Sequence, residues 1–169
     1  MIVLGVDPGY RNLGLSVLEI SEDGKDVKVR YSRNMAVGRA TAPMAFAKFL
    51  VPALDRLHAE YGPIEAIASE TPPFIEGALK TTAYLWAVTA IIVCWAQIHG
   101  MRMKHISPLS IKRGVCRTLK MKWDQKFIPR KSHVKEAVGV IVGDTATSSH
   151  ENDATFAALL LYSNAVPTE

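Results

Sequence analysis

The feature that most constrains this chain is an apolar run that ends on an acid and turns back at once. Ile2 to Val6 is rich in β-branched residues, which predicts a buried strand. Asp7 follows it, and Pro8-Gly9 is a turn signal. Leu13 to Ile20 alternates apolar and small or polar residues, so it predicts a second strand. Asp7 at this place is compatible with a structural acid, a metal ligand or a phosphate-binding loop, and the rest of the chain has to decide.

The remaining pattern predicts one more strand and then an alternation of helices and strands. Asp23-Gly24 is a hairpin signal and precedes a third strand. The further predicted elements are, in order, strand Val27–Tyr31, helix Pro43–Tyr61, strand Ile64–Ala68 running into Glu70, helix Gly77–His99, strand Met101–Ile106, a helix from Pro108 to about Leu119, a helix from His133 to about Val142 capped by Ser132, and a helix from Ser149 or His150 to about Tyr162. This order predicts an α/β domain over 1–169 with a mixed five-stranded sheet flanked by helices. It matches the ribonuclease-H-like fold.

Composition narrows the setting of the chain. With 169 residues, 49% of them hydrophobic, it suits one domain with a substantial core, and its net charge of +4 permits a polyanionic partner. Cys94 and Cys116 have no metal-type spacing and indicate a reducing compartment. The apolar run from Ala83 to Ala96 is shorter than the roughly 20 residues that span a bilayer, and the N-terminus lacks a secretion signal. We therefore expect a cytoplasmic protein that is not in a membrane.

Four residues with metal-binding chemistry fall at positions that the fold would bring together. Asp7 and Glu70 end two predicted strands, and His150 and Asp153 lie three apart at the start of the last helix, on one face. Each alone has an ordinary explanation as a turn former, a cap or a partner of the helix dipole. Together they would repel one another unless divalent cations were bound, and oxygen ligands favour Mg²⁺ or Mn²⁺. Two such ions ~3.5–4 Å apart form the clamp used for phosphodiester hydrolysis.

At these residues the sequence resembles the RuvC family of Holliday-junction resolvases. The matching stretches are "GVDPGYRNLGLSVLE", "IEAIASETPPF", "KSHVKEAV" and "HENDATFAALLLY", which sample nearly the whole chain in family order. The resemblance implies a ribonuclease-H-like fold, a homodimer and Mg²⁺-dependent paired nicking of four-way DNA junctions in a bacterial or phage-infected cell. It implies no small-molecule substrate.

The resemblance also assigns roles to single residues. Asp7, Glu70 and Asp153 match catalytic acids, and His150 stands where many members have Asp and some have His. We expect His150 to bind metal, to make activity fall at low pH and to favour Mn²⁺. Glu151 matches no family position and is interpreted as a partner of the helix dipole or a support of the site.

A basic segment follows the fifth predicted strand. Lys112 and Lys131 match basic family positions near the scissile phosphate, and Trp123 and Phe127 interleave with further cations: Arg113, Arg117, Lys120, Lys122, Lys126, Arg130 and Lys135. This favours a phosphate-binding surface over a merely solvated basic face. Phe74 follows Glu70, where family members carry an aromatic residue that stacks on opened bases, although a role in capping the core is an equal alternative.

The helix Gly77–His99 is apolar almost all round and needs two apolar neighbours. In the family the corresponding helix supports dimerisation, whereas cover by the C-terminal helices would leave a monomer.

Three other functions are compatible with parts of the pattern. The opening "VDPGYRNLG" also resembles the first phosphate loop of sugar kinases and actin-like ATPases, but the chain lacks a second glycine-rich loop and the length for two such domains. Another ribonuclease-H-like nuclease acting on flaps, branched DNA or RNA–DNA hybrids would use the same acids. A junction-binding module that has lost catalysis is disfavoured by the intact Asp7, Glu70 and Asp153.

Overall fold

The structure is a computed structural model that describes residues 1–9, 12–36, 43–123, 129–143, 148–162 and 166. Five strands and five helices are described: β1 Ile2–Asp7, β2 Asn12–Ile20, β3 Val27–Ala36, α1 Pro43–Tyr61, β4 Ala66–Glu70, α2 Leu79–Ile98, β5 Arg102–Ile106, α3 Pro108–Thr118, α4 Lys131–Val142 and α5 Ser149–Tyr162. The predicted α/β class and the order of elements are confirmed.

The strands form one mixed sheet in the order β3-β2-β1-β4-β5. β1 to β3 form an antiparallel meander, while β4 pairs parallel with β1 and β5 pairs parallel with β4. The parallel strands begin at the same edge because α1 and α2 return the chain across the sheet. β1, β4 and β5 therefore all end at one edge.

Helices cover both faces of the sheet, and each face has its own apolar core. α1 and α2 pack on one face against residues such as Leu4, Leu15 and Ile67. α3, α4 and α5 pack on the other, against Val3, Leu18 and Ala68. Successive side chains of a strand point to opposite faces, so the alternation along β1 and β4 decides which residues meet which helices.

Several boundaries differ from the sequence prediction. β3 runs on to Ala36, and β4 begins at Ala66 and includes Glu70 as its last residue. The prediction that Ser132 caps α4 is wrong, because the helix already begins at Lys131. The N–H of Arg130 donates instead to Nδ1 of His133, at 2.9 Å.

Among the described helices, α2 is long and apolar enough to cross a bilayer by length and composition. One side of it is buried in the core that it shares with α1, through Val88, Ile92 and Trp95. The other side is exposed, with Leu79, Trp86 and Ile98 at 69%, 47% and 81%. The described C-terminal helices lie on the opposite face of the sheet and do not cover this side.

Candidate active site

Asp7 and Glu70 are neighbours at the edge where β1 and β4 end. Val6 pairs with Ser69 in the parallel register, so the next residue of each strand follows side by side. Asp7 has the parity of Val3, and Glu70 that of Ala68, and both of these residues face α3, α4 and α5. The two carboxylates therefore lie on the face of the sheet that α5 covers.

Two glycines let α5 lie directly on the strands that carry the site. A Cβ on Gly5 would stand 2.1 Å from the carbonyl oxygen of Ala154, and one on Gly14 would stand 2.1 Å from that of His150. Neither position has room for a side chain. Nearby, the hydroxyls of Thr155 and Ser16 are hydrogen-bonded at 2.8 Å, which fixes the helix along its axis.

The first turn of α5 is held by a capping interaction that the sequence analysis missed. The backbone N–H of Glu151 donates to Oγ of Ser148 at 3.4 Å, and that hydroxyl donates to Oε1 of Glu151 at 3.0 Å. Ser32 on β3 also approaches the Glu151 carboxylate, at 3.4 Å. The Ser-x-x-Glu spacing is a known signature of a helix start and could have identified it. Glu151 thus supports the helix that carries the site, in line with the interpretation drawn from the sequence.

The helix brings His150 and Asp153 to Asp7. Nδ1 of His150 lies 2.6 Å from Oδ2 of Asp7. One ligand atom from each of Asp7, His150 and Asp153 lies within 4.8 Å of the other two. The side chains of Asp7 and Asp153 are only 14% and 15% exposed, and that of His150 28%. The set of two carboxylates and an imidazole, half-enclosed and open on one side, is suited to a divalent cation.

Charge repulsion at this edge is strong. Burial, with the charges of Asp7 and Asp153 adding to it, raises the pKa of Glu70 from 4.5 to about 8. Burial and the charge of Asp7 also raise the pKa of Asp153. The hydrogen bond to Asp7 raises the pKa of His150, although burial opposes this. A bound cation would stabilise the charged form of Glu70 and Asp153, the two acids whose pKa values are raised.

Two lysines border the acids. Nζ of Lys131 lies 3.4 Å from Oδ2 of Asp153 and 3.4 Å from Oγ of Ser149. Lys131 and Lys112 both lower the pKa of Glu70, so both lie close to the carboxylate cluster. The structure thus brings together Asp7, Glu70, His150 and Asp153 with these two lysines.

The other residues predicted to contact DNA lie around this group. Lys135 follows Lys131 by one turn of α4, and both are exposed. Arg113 on α3 is exposed and lies 5.5 Å from the centre of the Trp123 ring. Phe74, in the segment after β4, is 72% exposed, so it does not cap the core. Lys126 and Phe127 lie outside the described residues.

Comparison with known proteins shows which family the chain belongs to. No protein-family model matches the chain. A crossover junction endodeoxyribonuclease RuvC from Alkaliphilus oremlandii is 30% identical over 120 residues, which are 68% of this chain and 68% of that protein.

Solved structures show the same fold. RuvC of Thermus thermophilus in complex with a Holliday junction substrate superposes with a TM-score of 0.74 at 20% identity, covering 95% of this chain and 92% of that one. A yeast mitochondrial Holliday junction resolvase gives a TM-score of 0.64 at 16% identity, with 94% and 75% covered. The relative from Alkaliphilus and the shared fold together show that this chain belongs to the RuvC family of crossover junction endodeoxyribonucleases.

Proposed function

We propose that the chain resolves four-way DNA junctions by metal-dependent phosphodiester hydrolysis, with Asp7, Glu70, His150 and Asp153 as its catalytic and metal-binding residues. The observation that carries this proposal is the convergence of Asp7, His150 and Asp153, with ligand atoms within 4.8 Å of one another, beside the last residue of β4. Membership of the RuvC family supports a crossover-junction substrate.

The donor set fits two Mg²⁺ ions, with Mn²⁺ able to replace them because one ligand is an imidazole. Asp7 would hold the metal together with His150 and Asp153, and Glu70 at the end of the neighbouring strand would add a further carboxylate. When bound, such ions activate water and stabilise the leaving oxygen of a phosphodiester. The protein's own part is to hold these ligands on the rigid edge of a sheet, where a bound cation would keep Glu70 ionised despite its raised pKa.

The DNA backbone approaches from the side of the two lysines. Lys131 contacts Asp153 at 3.4 Å and is exposed, so it is suited to hold a phosphate oxygen next to the acids. Lys112, Arg113 and Lys135 extend the positive surface along α3 and α4. Phe74 is exposed beyond β4 and is suited to stack on a base, which is worth ~1–3 kcal/mol per base.

The exposed side of α2 supports a homodimer. An apolar groove of about 340 Å³ lies between α1 and α2, lined among others by Val51, Ile91 and Ile98. A two-fold dimer would use the same surface on both copies and carry two identical active sites. This arrangement suits symmetric cuts in a junction, and we place the activity in the cytoplasm of a bacterial or phage-infected cell.

The proposal is tested with an end-labelled four-way junction, a matched duplex, a flap and an RNA–DNA hybrid, each incubated in Mg²⁺ or Mn²⁺. Wild type should make paired symmetric nicks in the junction alone. Asp7→Asn should abolish them. Asp26→Asn is the matched control, since Asp26 is exposed in the turn before β3, at the opposite end of the sheet, and it should cleave like wild type.

Other outcomes would contradict parts of the proposal. Cleavage of the flap or the hybrid in place of the junction would keep the metal site but overturn the junction assignment. Tight junction binding with no cleavage of any substrate would identify a binding module.

A further inference from the structure

A small basic cavity lies at α3, and of its lining residues the proposed function above uses only Arg113. It has a volume of about 350 Å³ and is lined by Arg113, Cys116, Arg117, Met121 and Trp123. Its apolar lining includes the buried Cys116 and Met121. The other lining residues carry two guanidinium groups and an indole.

The cations of this cavity lack anionic partners within the described protein. Arg113 and Arg117 are one helical turn apart on α3, and like charges at this spacing repel. The Nε of Arg117 is buried and has no hydrogen-bond partner. No carboxylate is among the described residues that line the cavity. Two neighbouring arginines with no carboxylate beside them favour an anion in the cavity, because it would offset their mutual repulsion.

The cavity also has a flat apolar wall. The guanidinium of Arg113 lies 5.5 Å from the centre of the Trp123 ring, which holds the two side chains together. An anion that brings its own apolar part would therefore match the site better than a bare inorganic ion. A nucleotide unit, with a phosphate and a deoxyribose, has this combination.

We propose that the cavity formed by Arg113, Arg117 and Trp123 binds one backbone phosphate of the DNA substrate, with the adjoining deoxyribose against the indole. This inference rests on the proposed function and adds a defined contact to it. Lys112, at the edge of the acids, precedes Arg117 by five residues, which is ~7.5 Å along a helix. The bound phosphate is therefore a neighbour of the scissile phosphate and not the scissile phosphate itself.

The first test measures binding of a four-way junction and of duplex DNA by Asp7→Asn protein, which holds DNA without cutting it. Adding Arg117→Gln should raise Kd roughly tenfold for both DNAs at ~0.15 M salt and reduce the salt slope by about one. Lys28→Gln, which removes an exposed cation at the far end of the sheet, should change neither. An unchanged Kd and slope for Arg117→Gln would overturn the proposal.

The second test places the contact on the DNA. Single phosphates of the junction are replaced by neutral methylphosphonates. One substitution, at a phosphate near the cut but not at the cut itself, should weaken binding by the Asp7→Asn parent but have no further effect on the Arg117→Gln variant. If every methylphosphonate weakened binding by the Arg117→Gln variant as much as binding by its parent, the cavity would contact no phosphate. Arg113→Gln should give the same result. Because Arg113 is exposed, this variant tests the cavity without replacing a partly buried side chain.

The two proposals fail in different ways. If one modified phosphate weakened binding only when Arg117 was present, but wild type never cleaved a junction, the proposed activity would be overturned and the cavity proposal would stand. If wild type cleaved junctions but no modified phosphate depended on Arg117, the cavity proposal would be overturned and the proposed activity would stand.

Discussion

Glu70, which we propose as a catalytic residue, is unfavourable for the stability of the fold. Its carboxylate ends β4 beside Asp7 and Asp153, and its pKa is raised from 4.5 to about 8 by burial and by those charges. A raised carboxyl pKa means that the folded protein binds the proton more tightly than the unfolded chain does. The free energy of unfolding therefore falls as pH rises above 4.5, where the unfolded chain releases this proton. The loss of stability is complete above about 8, where Glu70 is ionised in the fold as well.

Glu70→Gln should therefore stabilise the metal-free protein at pH 8 while abolishing cleavage. The expected gain is of order 2–4 kcal/mol, since each pH unit of separation between the two pKa values corresponds to ~1.4 kcal/mol and partial exposure reduces the full value. The measurement is thermal unfolding in a chelator at pH 8 and at pH 5.

The gain should nearly vanish at pH 5, where the carboxyl is protonated in the fold. Excess Mg²⁺ should stabilise wild type more than the variant, because the ion needs the ionised ligand. An equal gain at both pH values would mean that Glu70 carries no electrostatic penalty.

The residue scale is also where the sequence predicted most. The strand-end positions of Asp7 and Glu70 and the spacing of His150 and Asp153 were sufficient to predict one cluster, and the structure brings it together. What could not be predicted is the contact distance, such as the 2.6 Å between His150 and Asp7, because it depends on how closely α5 approaches the sheet.

At the scale of elements, that approach is set by glycines in two strands. Gly14→Ala would place a Cβ 2.1 Å from the carbonyl oxygen of His150, so the first turn of α5 must move away from β2. We expect a loss of roughly 1–3 kcal/mol of stability. Cleavage should fall by much more than stability explains, because His150 and Asp153 move with the helix. Thermal unfolding and junction cleavage below the unfolding range measure the two effects.

Gly139→Ala is the matched control. Gly139 lies within α4 and a Cβ there would meet nothing within 4 Å. Alanine favours a helix over glycine by ~1 kcal/mol, so this variant should be slightly more stable and fully active. Full cleavage by Gly14→Ala would show that α5 can shift without disturbing the ligands.

Element boundaries were predicted less well, for physical reasons that the residues show. β3 continues to Ala36 because it pairs with β2 along its length, although its own side chains alternate weakly between buried and exposed. α4 begins before Ser132 because the imidazole of His133 accepts from the Arg130 N–H, a cap that residue preferences do not indicate. Such contacts form only in the folded chain.

At the scale of the whole molecule, the sheet separates the proposed active site from the proposed dimer surface. The acids and the lysines lie on the face of α3, α4 and α5, while the exposed apolar side of α2 lies on the other face. The sequence predicted that α2 needs two apolar neighbours, the sheet and either a second helix or a second copy of the chain. The sheet and α1 both pack against α2, and Leu79, Trp86 and Ile98 still remain exposed. The sequence could not show which face the C-terminal helices cover, because that depends on strand order. With those helices on the opposite face, a second copy of the chain is the partner that we propose for the exposed side.

Trp86→Glu should convert this dimer into a monomer. Trp86 is 47% exposed on α2. Glutamate at this position would bury one carboxylate from each copy in the interface, and the desolvation of these charges would destabilise the dimer. Light scattering after size exclusion gives the mass of each variant. Val140→Glu is the matched control, because Val140 is 65% exposed on α4, on the other face, and should leave the mass unchanged.

The Trp86→Glu monomer also distinguishes the pairing of the two cuts from the hydrolysis reaction itself. Each active site is built from one chain, so Trp86→Glu should still nick a junction, but the two cuts should no longer come in the same encounter. Junctions on a supercoiled plasmid distinguish these cases, since a single nick relaxes the circle whereas paired cuts linearise it. If Trp86→Glu kept the dimer mass and still linearised the plasmid, the exposed side of α2 would not be the dimer interface. If the control also lost the dimer mass, the effect would come from added charge and not from this surface.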